Sequence, residues 1–314
     1  METQTLPSNN TIITNSINNT NYQVESYLGK NGVNETYIVN NKNDGSKYIC
    51  KSRQSAKQAD YYEKNLYKYL TQKTNLSKFI NPLQTQIIDT SSNMTHSFYP
   101  IMNGISLSAI SPHLKSLDAE DRTILTRIII KNLLEAIGHL HKIQIIHNDI
   151  RPENIIVLLA EKPLAIKLIN FDNSCGKFWN PKAKSYLYKK CNKTKKIYNA
   201  TGILTNNHNR VPQSIHSELL HRKKNDVRQT GLIALELLLG DVLPWTQIRS
   251  AKPQYELDSI YWQNLVNTTR QTKDKIQAGY INLILANMIM TPFQKNINPA
   301  KYTVDKLIIL EKYS

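Results

Sequence analysis

Two short apolar runs, Gln144-Ile-Ile-His147 and Asn154-Ile-Ile-Val-Leu158, enclose the segment His147-Asn-Asp-Ile-Arg-Pro-Glu-Asn154. Strand-like runs this close together hold the chain between them in a short, rigid loop. A turn at Glu161-Lys-Pro163 and a further run, Ala165-Ile-Lys-Leu-Ile169, complete a strand-loop-strand unit. A long helix leads into it. From Ala119 to His141, residues Leu125, Ile128, Ile129, Leu133, Ile137 and Leu140 form one apolar stripe, with Asp118 as N-cap and Asp121 in the first turn. Earlier, Tyr22–Leu28, Glu35–Val39 and Lys47–Lys51 read as strands, with a hairpin turn at Asn43-Asp-Gly45. Ala59–Leu70 reads as a helix, with Tyr62, Leu66, Tyr69 and Leu70 at helical spacing. Helices resume at Asp226–Gly240 and again from Ile260. Residues 1–21, rich in Asn, Thr and Ser, read as a disordered tail. Strands first and helices later predict an α+β chain of two lobes, with no internal repeat.

The loop resembles the catalytic loop of the protein kinase superfamily, H-R-D-x-x-x-x-N. The resemblance spans about residues 22–310. It implies a bilobal fold: a small antiparallel β lobe with one helix (about 22–99), a hinge (about 100–105) and a larger, mainly helical lobe (about 106–314). It makes Asp149 the catalytic base and Asn154 a metal ligand, because an incoming hydroxyl must lose its proton while a metal is held on the ATP phosphates. Arg151 stands where serine/threonine kinases usually carry Lys and keeps a cation near the transferred phosphate. Upstream, Leu28-Gly-Lys-Asn-Gly-Val-Asn-Glu-Thr-Tyr37 is similar to the Gly-rich loop. Of the three motif glycines only Gly29 is kept; Asn31 and Asn34 take the other places, and Gly32 lies between them. Asn tolerates positive φ next best after Gly. Lys51 matches the lysine that holds the α/β-phosphates, Glu63 is its expected ion-pair partner, and Met102 falls in the nucleotide-facing hinge.

Downstream the resemblance departs from the family pattern. Lys167-Leu-Ile-Asn170-Phe171-Asp172 aligns with K-L-I-D-F-G, so Asn170 replaces the metal-binding Asp and Asp172 replaces the Gly. A neutral amide brings no charge to Mg²⁺, a hard cation that prefers carboxylates. Either nucleotide binds with little metal, or Asp172 supplies the missing carboxylate by a local shift. Asp226-Val-Arg-Gln-Thr-Gly231 matches D-x-W-S-x-G in its Asp and Gly, which implies that Asp226 fixes the catalytic loop's backbone. Leu243-Pro-Trp245 and Ser214-Ile215 resemble the casein kinase and vaccinia-related kinase group.

The charge balance narrows the partners. Forty Lys and Arg against 24 Asp and Glu give a net charge of +16, which favours anionic partners. Lys177 to Lys196 holds eight lysines interleaved with Phe178, Trp179, Tyr186 and Tyr188, and no Asp or Glu occurs from Asn173 to Ser217. This stretch reads either as a solvated basic loop or as a dock for an acidic or phosphorylated protein or for nucleic acid. Three cysteines without a CxxC pair argue against a disulfide framework or a zinc site, and for a reducing compartment. The N-terminus lacks the pattern of a signal peptide, and the apolar stretch Gly231–Leu239 is too short to span a bilayer. An intracellular protein, cytoplasmic or nuclear, is expected. Its many Asn, Ile and Lys residues suit a viral or intracellular-parasite gene.

Three readings stand at this stage. The first is an ATP- and Mg²⁺-dependent protein serine/threonine kinase working through Lys51, Glu63, Asp149 and Asn154. The second is a pseudokinase, a nucleotide-binding or scaffold module that lost metal-dependent catalysis at Asn170. The third is a small-molecule phosphotransferase on the same fold.

Overall fold

In the computed structural model, residues 11–15, 19–31, 33–158, 160–191 and 215–240 are described. Packing divides the chain into two units, Met1–Asn103 and Gly104–Ser314.

The first unit is built on a six-stranded antiparallel sheet. Its strands are β1 (Ile12–Asn15), β2 (Thr20–Asn31), β3 (Asn34–Asn41), β4 (Lys47–Gln54), β5 (Thr85–Asp89) and β6 (Met94–Pro100), in the order β1-β2-β3-β4-β6-β5. β1 corrects the tail read from composition: Ile12–Asn15 pairs with β2, and Ile13 and Asn15 are buried. Two β-branched residues whose neighbours can pair outweigh a polar surrounding sequence. Helix α1 (Lys57–Thr71) and the single turn α2 (Thr74–Ser77) follow β4. One face of the sheet closes over Tyr22, Val24, Tyr37, Val39, Cys50, Ile87 and Phe98, while α1 buries Leu66, Tyr67 and Leu70.

In the second unit, β7 (Ile105–Ser106), α3 (Leu107–Ile110) and α4 (Ala119–Lys142) precede β8 (Ile145–Ile146), β9 (Ile155–Leu158) and β10 (Ala165–Leu168). The expected cap is present: the Asp118 carboxylate accepts a hydrogen bond from the Asp121 amide at 2.8 Å. Of the expected stripe, Ile129, Leu133, Ile137 and Leu140 are fully buried, and Leu125 and Ile128 are half-buried. Then come β11 (Cys175–Asn180), β12 (Ser185–Lys189) and α5 (Ile215–Leu239). β9 pairs with β10 and β7, and β11 with β12 and β8. Helix α5 packs on α4 and β8. It starts well before Asp226, where the sequence reading began it.

The basic segment after residue 173 is not all loop, because residues 175–189 form the β11–β12 ribbon. Gly176 permits this: at φ 130° an added Cβ would fall 2.1 Å from the Gln144 carbonyl oxygen. Cys175 and Cys191 form a disulfide at the ribbon's open end, and Cys50 is the free, buried cysteine. An odd cysteine count still allows one pair, so counting alone could not exclude it. The expected helices from Ile260 and the segment Leu243-Pro-Trp245 lie outside the described residues, as does Ser214.

Candidate active site

The candidate site residues fall in both units. In the second unit the loop between β8 and β9 is fixed from behind by α5. The Asp226 carboxylate, fully buried, accepts the His147 amide at 3.0 Å and the Asn148 amide at 2.8 Å. It also accepts the His141 imidazole Nε2–H at 2.9 Å. Gln229, one turn further along α5, accepts the Ile150 amide at 3.0 Å. Three loop amides thus end on two side chains of one helix, which sets the loop's backbone without a strand ladder. Asn148 takes a left-handed conformation, φ 65°, that Asn adopts more readily than other side-chain-bearing residues. The His147 imidazole Nε2–H donates to the Ile169 carbonyl at 3.1 Å, and the ring stands edge-on to Phe171.

On this frame Asp149, Asn154, Asn170 and Asn173 form a continuous amide network. The Asn154 side-chain NH2 donates to the Asp149 backbone carbonyl at 2.8 Å and to its carboxylate at 3.1 Å. Asn173 donates to the same carboxylate oxygen at 3.2 Å. Arg151 Nε stands 3.8 Å from the other carboxylate oxygen. Asn170, at φ 68°, donates its NH2 to Asn154 Oδ1 at 3.1 Å. The structure therefore brings Asp149, Arg151, Asn154 and Asn170 together. Asp172 follows in a 3-10 turn, and its backbone carbonyl accepts the Lys189 ammonium at 2.5 Å.

In the first unit Lys51 lies on β4 opposite Thr36 of β3. Two residues on, and by strand alternation on the same face, Arg53 turns to α1. Its guanidinium pairs with Asp60 at 2.6 Å and with Glu63 at 2.5 Å. The Tyr99 hydroxyl donates to the second Glu63 oxygen at 3.1 Å. Glu63, expected to serve Lys51, pairs with Arg53, a residue the sequence reading passed over. The signal was present in a second cation two positions along the same strand. Asp60 and Glu63 are both buried, and the planar guanidinium reaches them with two of its nitrogens, Nε and Nη2 on Asp60 and Nη2 on Glu63. Arg53→Lys keeps the charge and loses the fork. It should lower stability by about 1.5–3 kcal/mol, read from urea unfolding; no change would mean that the guanidinium geometry is immaterial.

Gly29, at φ 139°, has no atom within 4 Å of where a Cβ would sit. The backbone there is open to a close approach, which fits a phosphate-bearing ligand. Gly32 and the side chain of Asn31 lie outside the described residues. Met102 sits beside the division between the units, in irregular backbone.

A magnesium ion fits less well. Its ligand positions carry the neutral amides of Asn154 and Asn170, and Asn154 Oδ1 already accepts a hydrogen bond from Asn170. Among the described residues no three His, Cys, Asp or Glu side chains cluster to hold a metal. Neither expected ligand position supplies the carboxylate that a hard cation prefers; the carboxylates nearby are those of Asp149, hydrogen-bonded to Asn154, and of Asp172.

Three histidines matter for stability. Burial holds His96, His141 and His147 below their ordinary value of 6.5, although Asp226 partly opposes this at His141 and His147. Since the folded state resists protonating them, the unfolded chain binds more protons once the pH falls below about 6.5. Stability should therefore be flat above that pH and fall steadily beneath it. Urea midpoints taken between about pH 7.5 and pH 5 test this, and a midpoint that holds or rises on acidification would refute it.

Comparison with known proteins brings in independent findings. The family model described as protein kinase domain matches residues 22–296. Myosin light chain kinase A of Dictyostelium discoideum is 20% identical over 302 residues, covering 92% of this chain and 93% of that protein. A probable serine/threonine-protein kinase of the same organism is 26% identical over 147 residues, covering 46% of this chain and 31% of its own length. A crystal structure of a kinase domain superposes with a TM-score of 0.57 at 15% identity, covering 91% of this chain and 95% of that one. No helix among the described residues is long and apolar enough to cross a membrane.

Proposed function

We propose, from the premise that this chain belongs to the protein kinase domain family and has its α+β fold, that it binds ATP and transfers the γ-phosphate to a serine or threonine hydroxyl of a protein, at a strongly reduced rate. The observation that carries this reading is the Asp149 carboxylate. It is oriented by Asn154 and Asn173, on a loop that Asp226 and Gln229 lock in place. Asp149 is the base that takes the hydroxyl proton, and Arg151 beside it places a cation near the transferred group. Lys51, with Glu63 in reserve, and the open backbone at Gly29 hold the nucleotide, and Met102 lines its hinge between lobes of about 22–99 and 106–314. The reduced rate follows from Asn170. Likeness to proteins named as kinases supports a protein substrate, and the family's use of ATP supports action inside a cell, in cytoplasm or nucleus. The net positive charge supports an acidic or phosphorylated partner.

A second reading has its own observation. The Asn170 amide occupies the oxygen through which Asn154 would meet a metal, which suits a nucleotide-binding scaffold without catalysis. One experiment separates the two. Nucleotide binding is measured with and without Mg²⁺, then phosphate transfer to generic acidic and basic proteins, in the natural chain and in Asp149→Asn. Slow transfer that Asp149→Asn abolishes supports the enzyme. Nucleotide binding with no transfer, in the natural chain and after Asn170→Asp alike, supports the scaffold. Absence of nucleotide binding refutes both.

A further inference from the structure

The β11–β12 ribbon presents two unlike faces. Phe178 and Asn180 are buried on one side. On the other, Lys177 and Trp179 from β11 stand opposite Tyr188 and Tyr186 from β12. Three large rings are left in solvent on that face: Trp179 is 45% exposed, Tyr186 59% and Tyr188 41%. Two of them touch. Trp179 meets Tyr186 edge-on at 5.2 Å between centroids, and the Lys177 ammonium lies 4.3 Å over the Tyr186 ring. The turn at the ribbon's tip adds the exposed Lys182 and Lys184, with Asn180 accepting the amides of Lys182 and Ala183. Lys190, also exposed, follows the last strand. No acidic residue interrupts the stretch from 173 to 217.

Burying such rings is the ordinary outcome of folding, so a set of exposed rings rimmed by cations marks a surface that meets a partner. The chemistry of that partner must explain both components. Acidic side chains would satisfy the lysines but offer no flat face to the rings. A nucleic-acid duplex would meet the lysines through its phosphates, but its base faces are hidden in its own stack. An unpaired strand offers both a polyanionic backbone and free base faces. The spacing agrees, since residues two apart on a strand put Tyr186 and Tyr188 about 6.8 Å apart, one ring for each of two successive bases. We propose that the exposed face of the β11–β12 ribbon is a stacking platform for single-stranded nucleic acid, with Trp179, Tyr186 and Tyr188 taking the bases and Lys177, Lys182, Lys184 and Lys190 the phosphates. This goes beyond the phosphoryl-transfer reading and does not depend on it.

The test is oligonucleotide binding by fluorescence anisotropy, using the full chain without ATP. The probes are labelled oligo(dT) and oligo(U) of about 16 nucleotides, spanning the largest site expected of such surfaces. Both should bind, and their ratio tells DNA from RNA preference. With four lysines neutralising phosphates, log K should fall with log salt at a slope of about −3. Trp179→Ala and Tyr186→Ala should each weaken binding about 5–150-fold, while Tyr186→Phe, which keeps the ring, should change it little. The thermal midpoint of each variant is measured beside the natural chain, so that a folding defect is told from lost stacking. A duplex of the same length should bind more weakly and be indifferent to the ring variants. The proposal is overturned if single strand and duplex bind alike with silent ring variants, which leaves a plain cationic patch. It is equally overturned if an acidic peptide binds in a ring-dependent way and the oligonucleotides do not. Because no ATP is present, neither result bears on phosphate transfer, and a chain inactive in transfer can still pass this test.

Discussion

Asn170→Asp should raise phosphate transfer by about 10²–10³-fold, the usual worth of one well-placed electrostatic contact in a phosphoryl-transfer site. The geometry gives a specific reason. In the natural chain the Asn170 NH2 donates to Asn154 Oδ1 at 3.1 Å, so the two groups satisfy one another. A carboxylate there cannot donate, and two oxygens would then face each other across a gap that a cation closes. The variant should accordingly show Mg²⁺-dependent nucleotide binding that the natural chain lacks, together with lower stability in the absence of metal. Asp172→Asn is the companion. If Asp172 already serves a metal, Asp172→Asn abolishes transfer and Asn170→Asp changes little. If both are silent, as is Asp149→Asn, the phosphotransferase reading is wrong.

Asp226→Ala should cost about 3–5 kcal/mol of folding stability, a large share of what a domain has. The substitution strips the acceptor from the His147 and Asn148 amides and from His141, all of them buried. Each orphaned buried donor costs about 1–3 kcal/mol. Asp226→Asn retains one oxygen and should lose roughly half as much. Urea unfolding of the two variants beside the natural chain gives the comparison, and a loss under about 1 kcal/mol for Asp226→Ala would show that water replaces the carboxylate without difficulty.

The parts of this chain legible from sequence are those set by local spacing. Asp149 and Asn154 five positions apart, the cap at Asp118 and the periodic Ile129, Leu133, Ile137 and Leu140 each follow from a rule that acts within a few residues. What stayed hidden depends on distant pairing. Ile12–Asn15 is a strand only because β2 offers it an edge. The Cys175–Cys191 bond depends on the ribbon that brings its ends together. That ribbon is masked in the sequence by its lysines, whose charge hides the alternation of Lys177, Phe178, Trp179 and Asn180. The role of Arg53 appears only when α1 packs on β4 and offers two acids, Asp60 and Glu63, to the one strand face. Gln229 and Asn173 carry no motif, and their roles appear only once the loop is folded against them.

The long reach of Asp226 has a consequence during synthesis. The acceptor for the Asn148 amide lies 78 residues further along the chain. At roughly 5–20 residues per second, a ribosome needs about 4–16 s to deliver it. Through that interval the nascent loop between β8 and β9 exists without its clamp, and the order of events is imposed by the chain's direction of growth. The strands of the first unit pair among neighbours close in sequence and can be complete by then. The loop must wait, so the sheet of the first unit is ready before the Asp149 carboxylate is held in position.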